Sequence, residues 1–180
     1  RFLTAMVALG SGRFRLDGIP RMRQRPIQDL LSALHLLGVK AESENGDGCP
    51  PVIVDAKGIP GGKTAIPGNK SSQYLSALLL TAPYAGRDVD IEVLGELIAK
   101  PYIDITLSIM KTFGVEVARE GYKRFHVSGG QVYSAMDYTV EPDASNASYF
   151  FAAAAVTGGR VRVNGLNRHS VQGDVRFVDM

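Results

Sequence analysis

The feature that most constrains this chain is an internal repeat with a spacing of about 75 residues. Residues 1–9, 73–82 and 147–156 each read as a short apolar helix rich in small residues. Each helix runs through a Gly-rich turn into an alternating segment: Gly12-Arg-Phe-Arg-Leu-Asp-Gly18, Gly86-Arg-Asp-Val-Asp-Ile-Glu-Val-Leu-Gly95 and Gly159-Arg-Val-Arg-Val-Asn-Gly165. Polar and apolar residues alternating between glycines predict a strand with one face in a core. A second helix then opens at Pro26 or Pro101, where a fixed φ and a missing N–H suit the first helical position. These helices, residues 27–37 and 103–113, end at Gly38 and Gly114, glycines placed for left-handed C-caps. Strands follow in Gly38-Val-Lys-Ala-Glu42 and Gly114-Val-Glu-Val-Ala118. Two more, at 52–55 and 125–128, lead through Gly-rich turns to Pro67 and Pro142, which keep the repeat interval, as do Tyr74 and Tyr149.

The unit is therefore helix, strand, helix, strand, strand and connecting strand, which sets the fold class as α/β (α+β). The first copy opens inside its first helix. The third reaches residue 180 where its second helix is due. The expectation is an internal piece of a larger repeat protein.

Composition narrows the function classes. With 45% apolar residues, 21% charged residues and a mean hydropathy of +0.01, the chain lies in the range of ordinary globular domains and outside that of disordered, collagen-like or coiled-coil chains. Its lone cysteine, Cys49, cannot form an internal bridge, so a reduced, cytoplasmic setting is expected. Twenty basic residues face 18 acidic ones, a net charge of +2. That balance argues against a chain built to hold a nucleic-acid backbone, so any anion site must be local. No run approaches the roughly 20 apolar residues of a membrane helix. The opening residues 1–12 imitate a signal peptide, but the repeat accounts for them.

Several residues could carry chemistry. In Pro20-Arg-Met-Arg-Gln-Arg-Pro26, an extended backbone would put Arg21, Arg23 and Arg25 on one side just before a helix start, either as an anion site or as a solvated basic face. Asn69-Lys-Ser-Ser-Gln-Tyr74 places two hydroxyls and an amide at a turn into a helix, as ligands or as N-caps. Gly61-Gly-Lys-Thr64 resembles the tail of a phosphate-binding loop, but Lys57 occupies the required earlier glycine position and Pro67-Gly68 forbids the helix that should follow. His35, His126 and His169 share no metal-ligand spacing with one another or with Cys49, so no metal is expected. Asn146-Ala-Ser148 matches a glycosylation acceptor, read as chance without a secretory signal.

Five ordered motifs carry a resemblance: Pro20-Arg-Met-Arg-Gln-Arg-Pro-Ile27, Ser71-Ser-Gln-Tyr-Leu-Ser-Ala-Leu-Leu79, Lys100-Pro-Tyr-Ile-Asp-Ile-Thr-Leu107, Asp143-Ala-Ser-Asn-Ala-Ser-Tyr-Phe150 and Gln172-Gly-Asp-Val-Arg-Phe-Val-Asp179. In order and spacing they resemble the 5-enolpyruvylshikimate-3-phosphate synthase family over essentially the whole chain. The resemblance implies two domains, each a threefold repeat of a βαβαββ unit, here truncated at both ends. Residues 1–141 would be most of the first domain and residues 142–180 the start of the second. The implied reaction moves an enolpyruvyl group from phosphoenolpyruvate to the 5-hydroxyl of shikimate 3-phosphate and releases phosphate, a step on the way to chorismate and the aromatic amino acids.

Both substrates are multiply anionic, so arginine and hydroxyl donors are the groups such a site needs. By the resemblance Arg25 binds phosphoenolpyruvate, Ser71 and Ser72 bind the shikimate phosphate, Gln73 lies between the two substrates, and Tyr102 lines the shikimate pocket. Asp179, locally an unmarked surface residue, falls on the aspartate that takes the proton from the attacking hydroxyl. No cofactor, metal, nucleic-acid partner or membrane contact is implied, and the complete enzyme is expected to be a cytoplasmic monomer. Ala99 stands where family members often carry Ser, so one hydrogen bond to the shikimate phosphate is expected to be absent or replaced by backbone contacts. The general acid and much of the cationic clamp lie outside these residues, so the piece alone is expected to be inactive. Two alternatives remain. One is a relative of UDP-N-acetylglucosamine enolpyruvyl transferase, although residues 16–24 lack the reactive cysteine expected before the Arg-Pro pair and Cys49 lies elsewhere, in Gly48-Cys-Pro-Pro51. The other is a catalytically silent packing or binding module.

Overall fold

The structure is a computed structural model that describes residues 1–179. It divides into two compact units, Arg1–Ser134 and the residues from Ala135 onward. The first contains α1 (Phe2–Val7), β1 (Ser11–Leu16), α2 (Gln28–Leu36), β2 (Lys40–Ser43), β3 (Val52–Lys57), β4 (Gly62–Pro67), α3 (Ser72–Thr81), β5 (Val89–Leu94), α4 (Lys100–Thr112), β6 (Ala118–Glu120) and β7 (Arg124–Val127). The second contains α5 (Ala144–Thr157) and a 3₁₀ segment, Gly173–Asp179.

The mixed α/β expectation holds, and the repeat is visible in the strand pairing. One sheet runs β1-β3-β2 and the other β4-β5-β7-β6, so β5-β7-β6 reproduces the order of the first copy with the same antiparallel partners. β4 pairs in parallel with β5, and α3 supplies the crossover that a parallel pair needs. The helix ends repeat as well. Gly38 and Gly114 have φ of +86° and +84°, and each donates to the carbonyl three residues back, from His35 and Lys111 respectively. The next residues, Val39 and Val115, donate to Leu34 and Met110, and all four apolar side chains are buried. This is a Schellman C-cap with its hydrophobic contact, made twice.

Helix α3 forms the centre of the first unit. Tyr74, Leu75, Ala77, Leu78 and Leu79 are all buried, as expected of a helix that is apolar all round. It packs against α1 and α4, with Ser76 and Thr106 hydroxyls joined at 2.7 Å. Around it, α2 contributes Leu30 and Leu34, β5 Ile91, β7 Phe125 and α4 Ile103 and Met110 to one contiguous apolar core. The Thr64 hydroxyl, on the strand that contains Lys63, donates to the Ala33 carbonyl at 2.9 Å and fixes α2 against β4.

Three local expectations are corrected. Arg21, Arg23 and Arg25 do not share one side. Met22–Gln24 is a turn of 3₁₀ helix, closed by Met22 and Arg23 amides on the Ile19 carbonyl, and helical rotation separates alternate side chains. Arg23 turns to Asp17 at 2.7 Å, and its hydrogen bonds hold the Asp17 carboxyl down at about 2. Pro26 precedes the N-cap residue Ile27 instead of opening α2, and in α4 Pro101 is the second helical residue. The strand expected at 114–118 begins only at Ala118, because Val115 is consumed by the C-cap and buried.

In the second unit the expected strand at 159–165 is absent among the described residues, as is any strand at 137–142, the counterpart of β4. β1 and β5 are held by β3 and β7, and among the described residues no strand takes that part in the second unit. An isolated parallel pair without a third strand does not sustain itself. The helix forms regardless, because its hydrogen bonds are internal. Asp143 caps it by accepting from the Ser145 and Asn146 amides, and Gly158 closes it at φ +65°. Gln172 holds its start through the Ala144 amide and the Pro142 carbonyl.

Candidate functional site

The starts of four helices and the loops before them in the first unit line a cavity of about 600 Å³. Arg25, Ser71, Ser72, Gln73 and Tyr102, every site residue anticipated in this unit, line it. They come from segments up to 77 positions apart (Arg25 to Tyr102), so their convergence is a property of the fold. Ala99 lines it too.

Arg25 ends the 3₁₀ turn in an extended conformation, and the backbone after it is pinned from two sides. The Tyr74 hydroxyl donates to the Pro26 carbonyl, and the Ile27 amide donates to Gly48 at 2.8 Å. The Arg25 guanidinium itself has no hydrogen bond or ion pair among the described residues, nor does the Lys70 ammonium, which also lines the cavity. Arg25 and Lys70 face the cavity with Asp29 as its one carboxylate, so its lining carries a net positive charge.

Ser71 is the N-cap of α3, one of the two readings of this motif, and it also lines the cavity. Its Oγ accepts from the Gln73 amide at 3.3 Å. The α3 N-terminus thereby adds its positive end to the cavity wall. Opposite it, the loop before α4 is drawn close at Gly68. A side chain there would lie 2.6 Å from the Glu96 carbonyl, and the Gly68 amide and carbonyl bond Leu94 and Ile98 at 2.9 and 3.0 Å. Glycine is required at this approach. It brings residues 70–73 and 98–102 to the same cavity. Ala99, the N-cap of α4, sits at φ 55° with no capping side chain, a left-handed conformation costing a non-glycine residue about 1 kcal/mol.

Sequence reasoning passed over Arg1, Lys70 and Asp29. Arg1 is the best placed of the three. Its Nη1 donates to Ser71 Oγ at 3.2 Å and to Gln73 Oε1 at 3.0 Å, and its guanidinium lies 5.0 Å from the Tyr74 ring centroid. Burial pushes the Tyr74 phenol above its ordinary pKa. No local pattern marks Arg1, since its partners are 70 and 72 positions away. Its only signal was an arginine at the head of an otherwise apolar helix.

Asp179 is not among the residues lining this cavity. It lies in the second unit at the end of the 3₁₀ segment, where Oδ1 accepts from Arg168 at 2.7 Å. Oδ2 has no hydrogen-bond partner among the described residues. No group of three or more His, Cys, Asp or Glu side chains able to hold a metal ion occurs among the described residues.

A cationic, hydroxyl-lined cavity bearing these five residues matches the pattern seen in the sequence, and comparison with known proteins decides the family. The family model for EPSP synthase (3-phosphoshikimate 1-carboxyvinyltransferase) matches residues 1–180. The chain belongs to the EPSP synthase family. The 3-phosphoshikimate 1-carboxyvinyltransferases of Trichormus variabilis and a Sulfurovum species are 51% and 52% identical to it over 180 and 181 residues. Each match covers all of this chain, which spans 42% of the length of these relatives. Among solved structures, an EPSP synthase from Acinetobacter baumannii superposes with a TM-score of 0.71 at 23% identity, covering 86% of this chain and 34% of that one. The enolpyruvyl transferase NikO from Streptomyces tendae gives 0.58 at 18% identity, over 84% of this chain and 35% of its own. Both structures share the fold. For an EPSP synthase family member, the unpaired Arg25 and Lys70 are the side chains around which the chemistry of the cavity must be read.

Proposed function

We propose that this chain forms part of an enzyme that transfers the enolpyruvyl group of phosphoenolpyruvate to the 5-hydroxyl of shikimate 3-phosphate, with release of inorganic phosphate. The observation that carries the reading is the convergence of Arg25, Ser71, Ser72, Gln73 and Tyr102 on one cavity whose lining carries a net positive charge. In this reading Ser71, Ser72 and the α3 N-terminus take the shikimate phosphate, because hydroxyl and amide donors at a helix start suit a phosphate. Arg25 takes phosphoenolpyruvate through charge-assisted hydrogen bonds. The Gln73 amide lies between the substrates, and Tyr102 flanks the shikimate ring.

The bond that forms joins the 5-oxygen to C2 of phosphoenolpyruvate, and the bond that breaks joins C2 to the phosphate oxygen. The attacking hydroxyl must lose its proton, and Asp179 is assigned to accept it, through the Oδ2 that Arg168 leaves open. The domain assignment belongs to the same proposal: residues 1–141 are most of the first domain and residues 142–180 the start of the second. No helix among the described residues is long and apolar enough to cross a membrane.

The test is phosphate release by the intact protein supplied with phosphoenolpyruvate and shikimate 3-phosphate. Release that requires both supports the reading. Release with UDP-N-acetylglucosamine in place of shikimate 3-phosphate would assign the rival transferase, and the absence of release with either acceptor would leave a silent module.

A further inference from the structure

Ser71 and Gln73 are ambiguous ligands for an anion. A hydroxyl can donate or accept, and an amide can present either its NH₂ or its oxygen to the same point in space. An anionic substrate is bound by the first choice and repelled by the second. Something must set the choice, and the hydrogen bonds of the first unit show what does.

The Ser71 oxygen accepts twice, from Arg1 Nη1 at 3.2 Å and from the Gln73 backbone amide at 3.3 Å. Both of its acceptor positions are filled, so its remaining capacity is the O–H, for which the described residues offer no acceptor. Gln73 Oε1 accepts from the same Arg1 nitrogen at 3.0 Å. Its Nε2 is thereby left with two donors and no partner among the described residues. Arg1 has no acceptor capacity, so it cannot accommodate the flipped amide. Its own position is fixed by the Tyr74 ring at 5.0 Å, and Tyr74 is 3% exposed and bonded to the Pro26 carbonyl beside Arg25.

We infer that Arg1 is a positioning residue that turns Ser71 and Gln73 into obligate donors toward the anionic substrates. It acts through those two side chains. The inference rests on the enolpyruvyl-transfer reading for its activity readout, and it extends that reading to a residue whose effect is polarity selection.

The experiment is a double-substitution cycle in the intact enzyme with phosphoenolpyruvate and shikimate 3-phosphate. Arg1→Met should lower kcat/KM by about 10- to 100-fold, the worth of charge-assisted hydrogen bonds. In a protein already carrying Ser71→Ala and Gln73→Ala, Arg1→Met should change kcat/KM by less than about twofold, because nothing remains to be oriented. Independent effects that multiply would overturn the inference and make Arg1 a direct ligand. Arg1→Lys, which retains a donor but not the guanidinium plane, should recover part of the activity. A loss in kcat/KM that instead tracked the fraction of unfolded protein would reduce Arg1 to a structural role. A readout independent of turnover is the Gln73 side-chain amide resonance in the substrate-free protein, which should move in Arg1→Lys and Arg1→Met; an unmoved resonance sinks the inference even if the enzyme is active. If the unsubstituted protein transfers no enolpyruvyl group, the functional reading fails and the resonance alone judges Arg1.

Discussion

Helices α3 and α5 occupy equivalent places in successive copies of the repeat, and they meet opposite fates. Tyr74 is 3% exposed and its counterpart Tyr149 75%; Leu75 is 1% exposed and Phe150 61%. Thr81 and Val156 differ in the same way, at 6% and 84%. Both helices are apolar around most of their circumference, and both are capped at the start by a side chain, Ser71 or Asp143. What separates them is neighbours. α3 packs against α1, α2 and α4, whereas α5 packs on the 3₁₀ segment. Helical hydrogen bonds are local and form in either setting; burial is a collective act of several elements.

The sharpest contrast between residues of the two units is kinetic. In the intact enzyme, Asp179→Asn in the second unit should lower kcat by about 100- to 10,000-fold while both substrates still bind. Arg25→Ala in the first should raise KM for phosphoenolpyruvate by at least about 30-fold, and far more than KM for shikimate 3-phosphate. Near-normal turnover with weaker shikimate 3-phosphate binding in Asp179→Asn would place the base elsewhere. Equal KM effects in Arg25→Ala would assign that residue to the fold.

The next contrast is in stability. Leu78→Ala, in the core of α3, should destabilise this chain by about 2–5 kcal/mol. Phe150→Ala, on the exposed face of α5, should change stability by less than about 0.5 kcal/mol. Thermal unfolding measures both, and amide exchange should be slower in α3 than in residues 142–163. Comparable costs, or uniformly slow exchange through α5, would break the comparison.

A smaller effect tests where the first unit ends. Tyr133 donates to the Leu80 carbonyl at 3.0 Å, and burial pushes its phenol up to about 12. The unfolded phenol ionises near its ordinary value of about 10. A raised phenol contributes stability that is complete below pH 10 and falls away as pH climbs toward 12. Stability to denaturant unfolding should therefore fall over that window, and Tyr133→Phe should flatten the change. The smallest effect is at the acid end. Asp17, held down at about 2 by Arg23, adds stability above its ordinary value of about 4 that disappears as pH falls toward 2. Asp17→Asn should remove that acid-side slope, measured by unfolding between these limits.

The sequence by itself determined whatever is written in local hydrogen bonding and periodicity. The helices stand within a few residues of their expected places, Gly38 and Gly114 close them in the left-handed conformation, and the copies recur at the expected interval. Residues 71–73 could be seen at a helix start because capping is a short-range act. Tertiary structure decided the rest. An alternating pattern became a strand in β1 and β5, where β3 and β7 supply partners, but not at 159–165. Three arginines that alternate in the sequence were separated by one turn of 3₁₀ helix, leaving Arg25 in the cavity and Arg23 on Asp17. Arg1 was invisible until folding brought it to Ser71 and Gln73. A strand, a cavity and a charge partner are each defined by residues distant in the chain, and a single segment carries no record of them.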